Sequence, residues 1–249
     1  TVSIAPHRAV YKMALASAKN ASNISDVSGR MLFEWRDVCD GWAIQQRLQL
    51  HFSFADGEDQ ELVSTELTWE SKDGKRYSFN IRRTTDGQET EVYHGKAVQN
   101  ADGTVSVSYS VPEDKTEELP AGTLFPTAHT KLILEAAAKG DKFFSRRIFD
   151  GTDDDGSSDI SAFISPARPL SKDALPKAKG KKNPLLTDTA WPVHLAFFKV
   201  ETETGEPDYE MDMTLLPNGI AQGMKIDYGD FSVTGGLEDV QALKAHVCP

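Results

Sequence analysis

The chain is short of cysteine, short of basic residues, and without any long apolar run. Its 249 residues hold two cysteines and 27 Lys and Arg against 38 Asp and Glu, a formal net charge of -11. That acidic balance repels phosphate backbones and excludes a nucleic-acid partner held by a basic face. No apolar stretch approaches the roughly 18 residues of a membrane-crossing helix, so the chain is not expected to be membrane-spanning. Catalytic signatures are missing as well. There is no GxSxG elbow and no CxxC pair. The histidines His7, His51, His94, His129, His194 and His246 never fall at the i, i+4 spacing that sets two metal ligands on one helix face. No catalytic residue, metal or cofactor is therefore nominated.

What is present is a core-forming composition, 39% hydrophobic and 26% charged. The length suits a single domain over residues 1–249, since all-β folds reach about 250 residues as one unit. Cys39 and Cys248 admit two readings. They are buried free thiols, which behave as small hydrophobes, or a disulfide that holds a terminus otherwise prone to fraying. The second is favoured, because a bridge closing nearly the whole chain is worth up to about 5 kcal/mol in the chain-entropy model. It implies an oxidising compartment. A start at Thr1 without Met fits a processed or trimmed chain and shows no signal peptide directly.

Alternation with period two dominates. From Trp42 to Phe54 the apolar residues Trp42, Ile44, Leu48, Leu50, Phe52 and Phe54 all fall on even positions. Val63, Thr65, Leu67 and Trp69 oppose Ser64, Glu66, Thr68 and Glu70. Similar runs follow at Tyr77–Ile81, Val105–Val111, Tyr209–Leu215 and Ile220–Tyr228, and earlier ones at 9–16 and 31–38. Asp56-Gly57, Asp73-Gly74, Asp86-Gly87, Asp102-Gly103 and Asn218-Gly219 stand at the joins as hairpin turns. The expected fold is all-β: one long antiparallel sheet, curled by its own twist into a spiral or incomplete barrel that covers its apolar face. A helix over 128–139, with Thr127 as N-cap and Gly140 as stop, packs against or inside the sheet. A shorter helix is predicted over 237–245.

Three segments invite functional readings. Residues 166–186 form a Lys- and Pro-rich loop whose Lys172, Lys177, Lys179, Lys181 and Lys182 make a basic island on an acidic chain. A solvated connection is the plain reading, contact with anionic lipid or an acidic partner the functional one. The acidic run in 150–159 resembles a calcium loop, but an EF-hand frame with Gly156 sixth puts Gly151 first and Ala162 twelfth, so a hairpin loop is favoured over weak calcium binding. His129, in the first turn of the helix, is expected to be neutral and bonded to a neighbouring strand.

A resemblance is carried by Trp35-Arg36-Asp37-Val38-Cys39-Asp40-Gly41-Trp42, the segment Leu119 to Thr130, Phe149-Asp150-Gly151 and the terminal Cys248. In order and spacing these resemble the alphaproteobacterial cell-envelope integrity protein B (EipB) family over the whole chain. The resemblance implies a periplasmic protein with its signal peptide removed, folded as a β-spiral around its helix and clamped by the disulfide. It implies a role in envelope maintenance alongside tetratricopeptide-repeat proteins, and an architectural likeness to periplasmic lipoprotein carriers. The family brings no catalytic residues. The leading expectation is a non-enzymatic binding protein that grips a lipid, a lipoprotein or a partner protein, with Trp42, Phe52, Phe54, Trp69, Phe79 and Tyr109 lining an apolar cleft. The rival expectations are a hydrolase or transferase acting on envelope polymers through the 150–155 acids and His129, and a surface-recruited adaptor.

Overall fold

The computed structural model describes residues 2–153, 156–170, 183–200, 205–244, 246 and 248. Its strands are β1 (His7–Ala18), β2 (Ile24–Asp37), β3 (Gly41–Phe54), β4 (Asp59–Ser71), β5 (Arg76–Thr85), β6 (Gln88–Gln99), β7 (Val105–Val111) and β8 (Lys115–Leu119). The helix α1 (Pro126–Lys139) follows. Then come β9 (Phe143–Ile148), β10 (Ser158–Ile164), β11 (Arg168–Pro169), β12 (Thr189–Lys199), β13 (Tyr209–Leu215), β14 (Ala221–Asp227) and β15 (Phe231–Ala242).

All the long strands join one antiparallel sheet in the order β8-β7-β6-β5-β4-β3-β2-β1-β15-β14-β13-β12-β10-β9, with β11 beside β12. Sequence neighbours pair because tight turns join them. The Asp86-Gly87 loop has two residues, both at positive φ (51° and 77°), the backbone that a two-residue hairpin between right-twisted strands requires. The long-range pairing is β1 with β15, which brings the two ends of the chain together. Among the described residues the edge strands β8 and β9 do not pair with each other; Leu124, beyond the end of β8, makes an isolated parallel bridge with Ile148, so the sheet is curled and not closed.

Inside the curl lies α1, with Thr127, His129, Ile133, Leu134, Ala136 and Ala137 buried. Ile133, Leu134, Ala136 and Ala137 share a core with Trp35, Trp42, Ile160, Val193 and Leu195, drawn from both halves of the sheet. A second core packs Ala9, Tyr11 and Met31 on Val233, Leu237 and Val240, and a third packs Tyr77, Phe79 and Tyr109 on Phe125 and Phe149.

Three local expectations are corrected. Where a helix is predicted over 237–245, residues 237–242 are instead the end of β15, whose register runs Ala9 opposite Val240 and Tyr11 opposite Leu237. Local helix propensity is weak beside the hydrogen bonds and apolar burial offered by the open edge of β1. The helix starts earlier than expected, with Phe125 at the N-cap and Pro126 in the first turn, so Thr127 is not the cap. Gly140 does stop it, at φ 82°.

The third correction concerns β4. Its more apolar face points outward, leaving Leu67 44% exposed, while Ser64 and Glu70 are buried. Residues in register share a face of a sheet. Ile44 lies opposite Thr68 and Trp42 opposite Glu70 on one side, and Phe79 opposite Thr68 and Tyr77 opposite Glu70 on the other. The stronger apolar alternation of β3 and β5 therefore decides which face of β4 turns inward.

Within the predicted 166–186 loop, the described residues include β11 and an anchored end where the Asn183 side-chain amide donates to the Val240 carbonyl at 2.8 Å and Leu186 is buried. Lys172, Lys177, Lys179, Lys181 and Lys182 lie outside the described residues.

Candidate functional site

The inverted face of β4 places carboxylates inside the curl. Glu70 is only 3% exposed and accepts the backbone amides of Thr127 at 2.7 Å and Ala128 at 2.8 Å. Because no side chain of the helix caps its own N-terminus, a strand residue does so, and the helix dipole favours a negative group there. Burial nevertheless pushes the Glu70 carboxyl up to about 7 against those two hydrogen bonds and the Lys131 charge.

Two repeats of the pleat further along, past Thr68, Glu66 also points inward, opposite Gln46 on β3 and Ile81 on β5. Glu66 is only partly exposed, and the protein around it desolvates its carboxyl strongly while solvent still reaches it. The same combination holds for Tyr209 and for Tyr228, which is 41% exposed but strongly desolvated. Side chains that are enclosed and wet at once line a concavity. Around α1 the interior is filled; elsewhere on the inner face Gln46, Leu48, Arg83, Tyr93 and Ile226 are only half-buried, as is Met211 at the margin of the helix core.

Two walls define this lumen. One is a track of rings: Phe197 stacks on Tyr209 with centroids 4.1 Å apart, Tyr209 on Tyr228 at 6.3 Å, and Tyr228 on Phe231 at 4.9 Å. It continues edge-to-face from Phe231 to Phe52 at 5.8 Å and ends with Phe54 at 6.5 Å from Phe52. The other wall is charged. Glu66 bonds weakly to the Ser64 hydroxyl at 3.4 Å and senses Asp150 and Arg83, while Arg83 is ion-paired with Glu91. Burial first, and the Asp150 charge second, push the Glu66 carboxyl up to about 7.

That shift carries a sign. A carboxyl raised from its ordinary 4.5 keeps its proton when folded and loses it when unfolded, so its contribution to stability is full below 4.5 and lost as the pH rises through about 7. Glu66→Gln, uncharged throughout, is expected to melt higher than the parent at pH 8 and alike at pH 4. Coincident melting curves at pH 8 would show that Glu66 ionises there without cost.

The six aromatics expected to share a cleft are distributed instead. Trp42 sits in the core under α1, with Lys72 Nζ 3.5 Å from its ring centroid. Phe79 and Tyr109 are buried in the third core. Trp69 is on the outward face of β4, against Gly41, where a Cβ would come within 2.3 Å of its indole nitrogen. Phe52 and Phe54 belong to the ring track. The 150–153 segment is clamped to the third core: the Tyr77 hydroxyl donates to the Asp150 carbonyl at 2.9 Å and that of Tyr109 to the Asp153 carbonyl at 3.2 Å. Asp150 Oδ1 accepts from the Thr152 amide and hydroxyl, an arrangement of a turn. Asp154 and Asp155 lie outside the described residues. Among the described residues no three His, Cys, Asp or Glu converge as metal ligands.

His129 is neutral, its pKa lowered to about 4 by burial and by the Arg146 charge. The expected strand hydrogen bond is absent at Nε2, which is buried without a partner, and the ring packs edge-to-face on Phe144. His194 is held on the outside between Asp212 at 2.8 Å and Glu210 at 3.0 Å. Cys39 and Cys248 form the disulfide, with Cα atoms 5.6 Å apart.

The sequence reading missed Glu66 and Glu70 as interior groups; it had Tyr209 and Tyr228 on the apolar face but did not single them out. The available signal was the conflict between β4, whose apolar residues fall on odd positions, and the even-numbered face of β3 paired with it.

An open antiparallel sheet rolled around one helix, with a disulfide tying the β2–β3 turn to the C-terminal tail, defines a β-barrel-like protein whose concave surface is its interior. No described helix is long and apolar enough to cross a membrane. The EipB-like family model matches residues 1–244, and the chain belongs to the EipB-like family. It is similar to the cell envelope integrity protein EipB of Brucella abortus (strain 2308), with 31% identity over 238 residues, covering 95% of this chain and 83% of that protein. A crystal structure of a β-barrel-like protein from Brucella abortus, of a domain of unknown function, matches with a TM-score of 0.89 and 28% identity. That match covers 98% of this chain and 100% of the other.

Proposed function

We propose that this chain maintains the cell envelope as a non-enzymatic periplasmic protein, and that it does so by holding an envelope component in the open lumen of its curled sheet. Membership of a family whose relative is named for envelope integrity supports the role. The disulfide supports an oxidising compartment. The observation that carries the binding reading is the wet, enclosed position of Glu66 between a ring track and a charged wall. A concavity that is mostly apolar with a few placed polar groups is the usual form of a ligand site. A barrel filled for stability alone would bury those side chains, as the helix end of this one does.

Met211 lies on the inner face opposite Leu195 and Ile226 and is half-buried. Met211→Trp should project bulk into the lumen while leaving the surface unchanged. In cells lacking the native gene and sensitised to detergent, this variant is expected to accumulate as a folded, disulfide-bonded protein and to fail to restore resistance. Full restoration at equal protein level would reject the lumen as the working surface.

A further inference from the structure

The lumen is chemically lopsided, and the imbalance identifies a ligand class. Glu66, Asp150, Asp153 and Glu91 contribute acids around the lumen, against two cations that are already paired, Arg83 with Glu91 and Lys199 with Asp153 at 3.7 Å. A carboxylate enclosed by protein costs free energy unless a cation accompanies it. The opposite wall is apolar and long, running through the rings from Phe197 to Phe54.

Resting on the lumen as the binding site, we propose that the occupant is an amphiphile bearing a protonated primary amine, with its ammonium set against Glu66 and its apolar body laid along the ring track. An anionic head group would face Glu66 and Asp150 and is disfavoured by their charge. A quaternary ammonium is best held on open ring faces. Here Phe197 and Tyr209, nearly parallel at 14° and 4.1 Å apart, each have one face covered by the other. A primary ammonium instead supplies three N–H donors, which suits the oxygens of Glu66 and its surroundings. A neutral sugar would leave the carboxylate without a counter-charge.

The lifted carboxyl of Glu66 agrees with this geometry. A bound ammonium would favour the ionised form, so binding near pH 7 should release a proton.

The test uses three probes of equal chain length: dodecylammonium and dodecanoate below their critical micelle concentrations, and 1-dodecanol below its solubility limit. Each is titrated calorimetrically into the oxidised protein at pH 7, in two buffers of different ionisation heat. The expected result is one dodecylammonium per chain, bound at least about ten-fold more tightly than dodecanol, a gap of about 1.4 kcal/mol. Its heat should differ between the buffers because a proton is released, and dodecanoate should bind more weakly than dodecanol. Glu66→Gln, checked for an unchanged fold at pH 7, should reduce dodecylammonium to the level of dodecanol and leave dodecanol unaffected. Asp239→Asn, on the exposed outer side of β15, should change none of them.

Equal binding of all three probes would overturn the amine assignment while leaving the lumen as an apolar site. A preference for dodecylammonium that survives Glu66→Gln would also overturn it, since attraction to an acidic surface would then suffice. If no probe binds, the apolar lumen itself falls, and the proposed function with it.

Discussion

Replacing Cys39 and Cys248 with serine, or reducing the bond between them, is expected to lower stability by about 2–5 kcal/mol and the melting temperature by roughly 5–15 °C. The bridge spans 209 residues of sequence. In the chain-entropy model a loop of that size restricts the unfolded ensemble by an amount worth about 5 kcal/mol, which is an upper figure because measured bridges often deliver less. The folded chain already brings the ends together, since β1 pairs with β15 along its length. The strand content seen by far-UV circular dichroism should therefore survive at 25 °C. Local structure readies Cys39 for its partner: it sits at φ 70° in the β2–β3 turn, its amide donates to Asp37 Oδ1 at 3.1 Å, and Asp37 is ion-paired with Lys72 at 2.7 Å. An unchanged melting temperature would mean that the pairing of β1 with β15 suffices. Two reactive thiols in unreduced, denatured protein from an oxidising compartment would remove the bridge altogether.

Glu70→Ala should destabilise the fold by about 2–4 kcal/mol, because each buried amide that loses its acceptor costs about 1–3 kcal/mol. The amides concerned are those of Thr127 and Ala128, and water has little access to replace the carboxylate at a position where Glu70 is 3% exposed. The loss should depend on pH. A carboxyl lifted from 4.5 to about 7 contributes stability that is present below 4.5 and lost as the pH rises through 7. The difference between parent and variant in urea unfolding should thus be larger at pH 5 than at pH 8. A difference that grows with pH would mean that the charged form is the better clamp and that the helix dipole outweighs burial at this site.

The aromatic positions show how far residue patterning reaches. Alternation correctly marks Trp42, Phe52 and Phe79 as inward-facing, because a side chain's face depends only on parity along its own strand. Parity says nothing about height along the sheet or about which strands lie across the interior. Trp42 consequently meets α1, Phe79 meets Phe149, and Phe52 meets Phe231 from the other end of the chain. The ring track joins β3, β12, β13 and β15 with the turn residue Tyr228, and its members are far apart in sequence.

The amino-acid sequence by itself determined the strand-rich class, the hairpin connections at the Asp-Gly turns, the stop of α1 at Gly140 and the antiparallel order of neighbouring strands. These rest on interactions within a few residues: the side-chain period of two, the positive φ that glycine tolerates, and the short loops that force adjacent strands to pair. Between a bridge and two free thiols it left a choice, which the meeting of the chain ends resolves as a bridge. Tertiary structure alone decided that residues 237–242 extend as strand and that Glu66 and Glu70 turn inward. It also placed the cap of α1 on a strand 57 residues away. In each case a weak local preference met a neighbour able to offer a full row of hydrogen bonds or a stronger apolar face, and a sheet must take one register and one orientation for all its strands together.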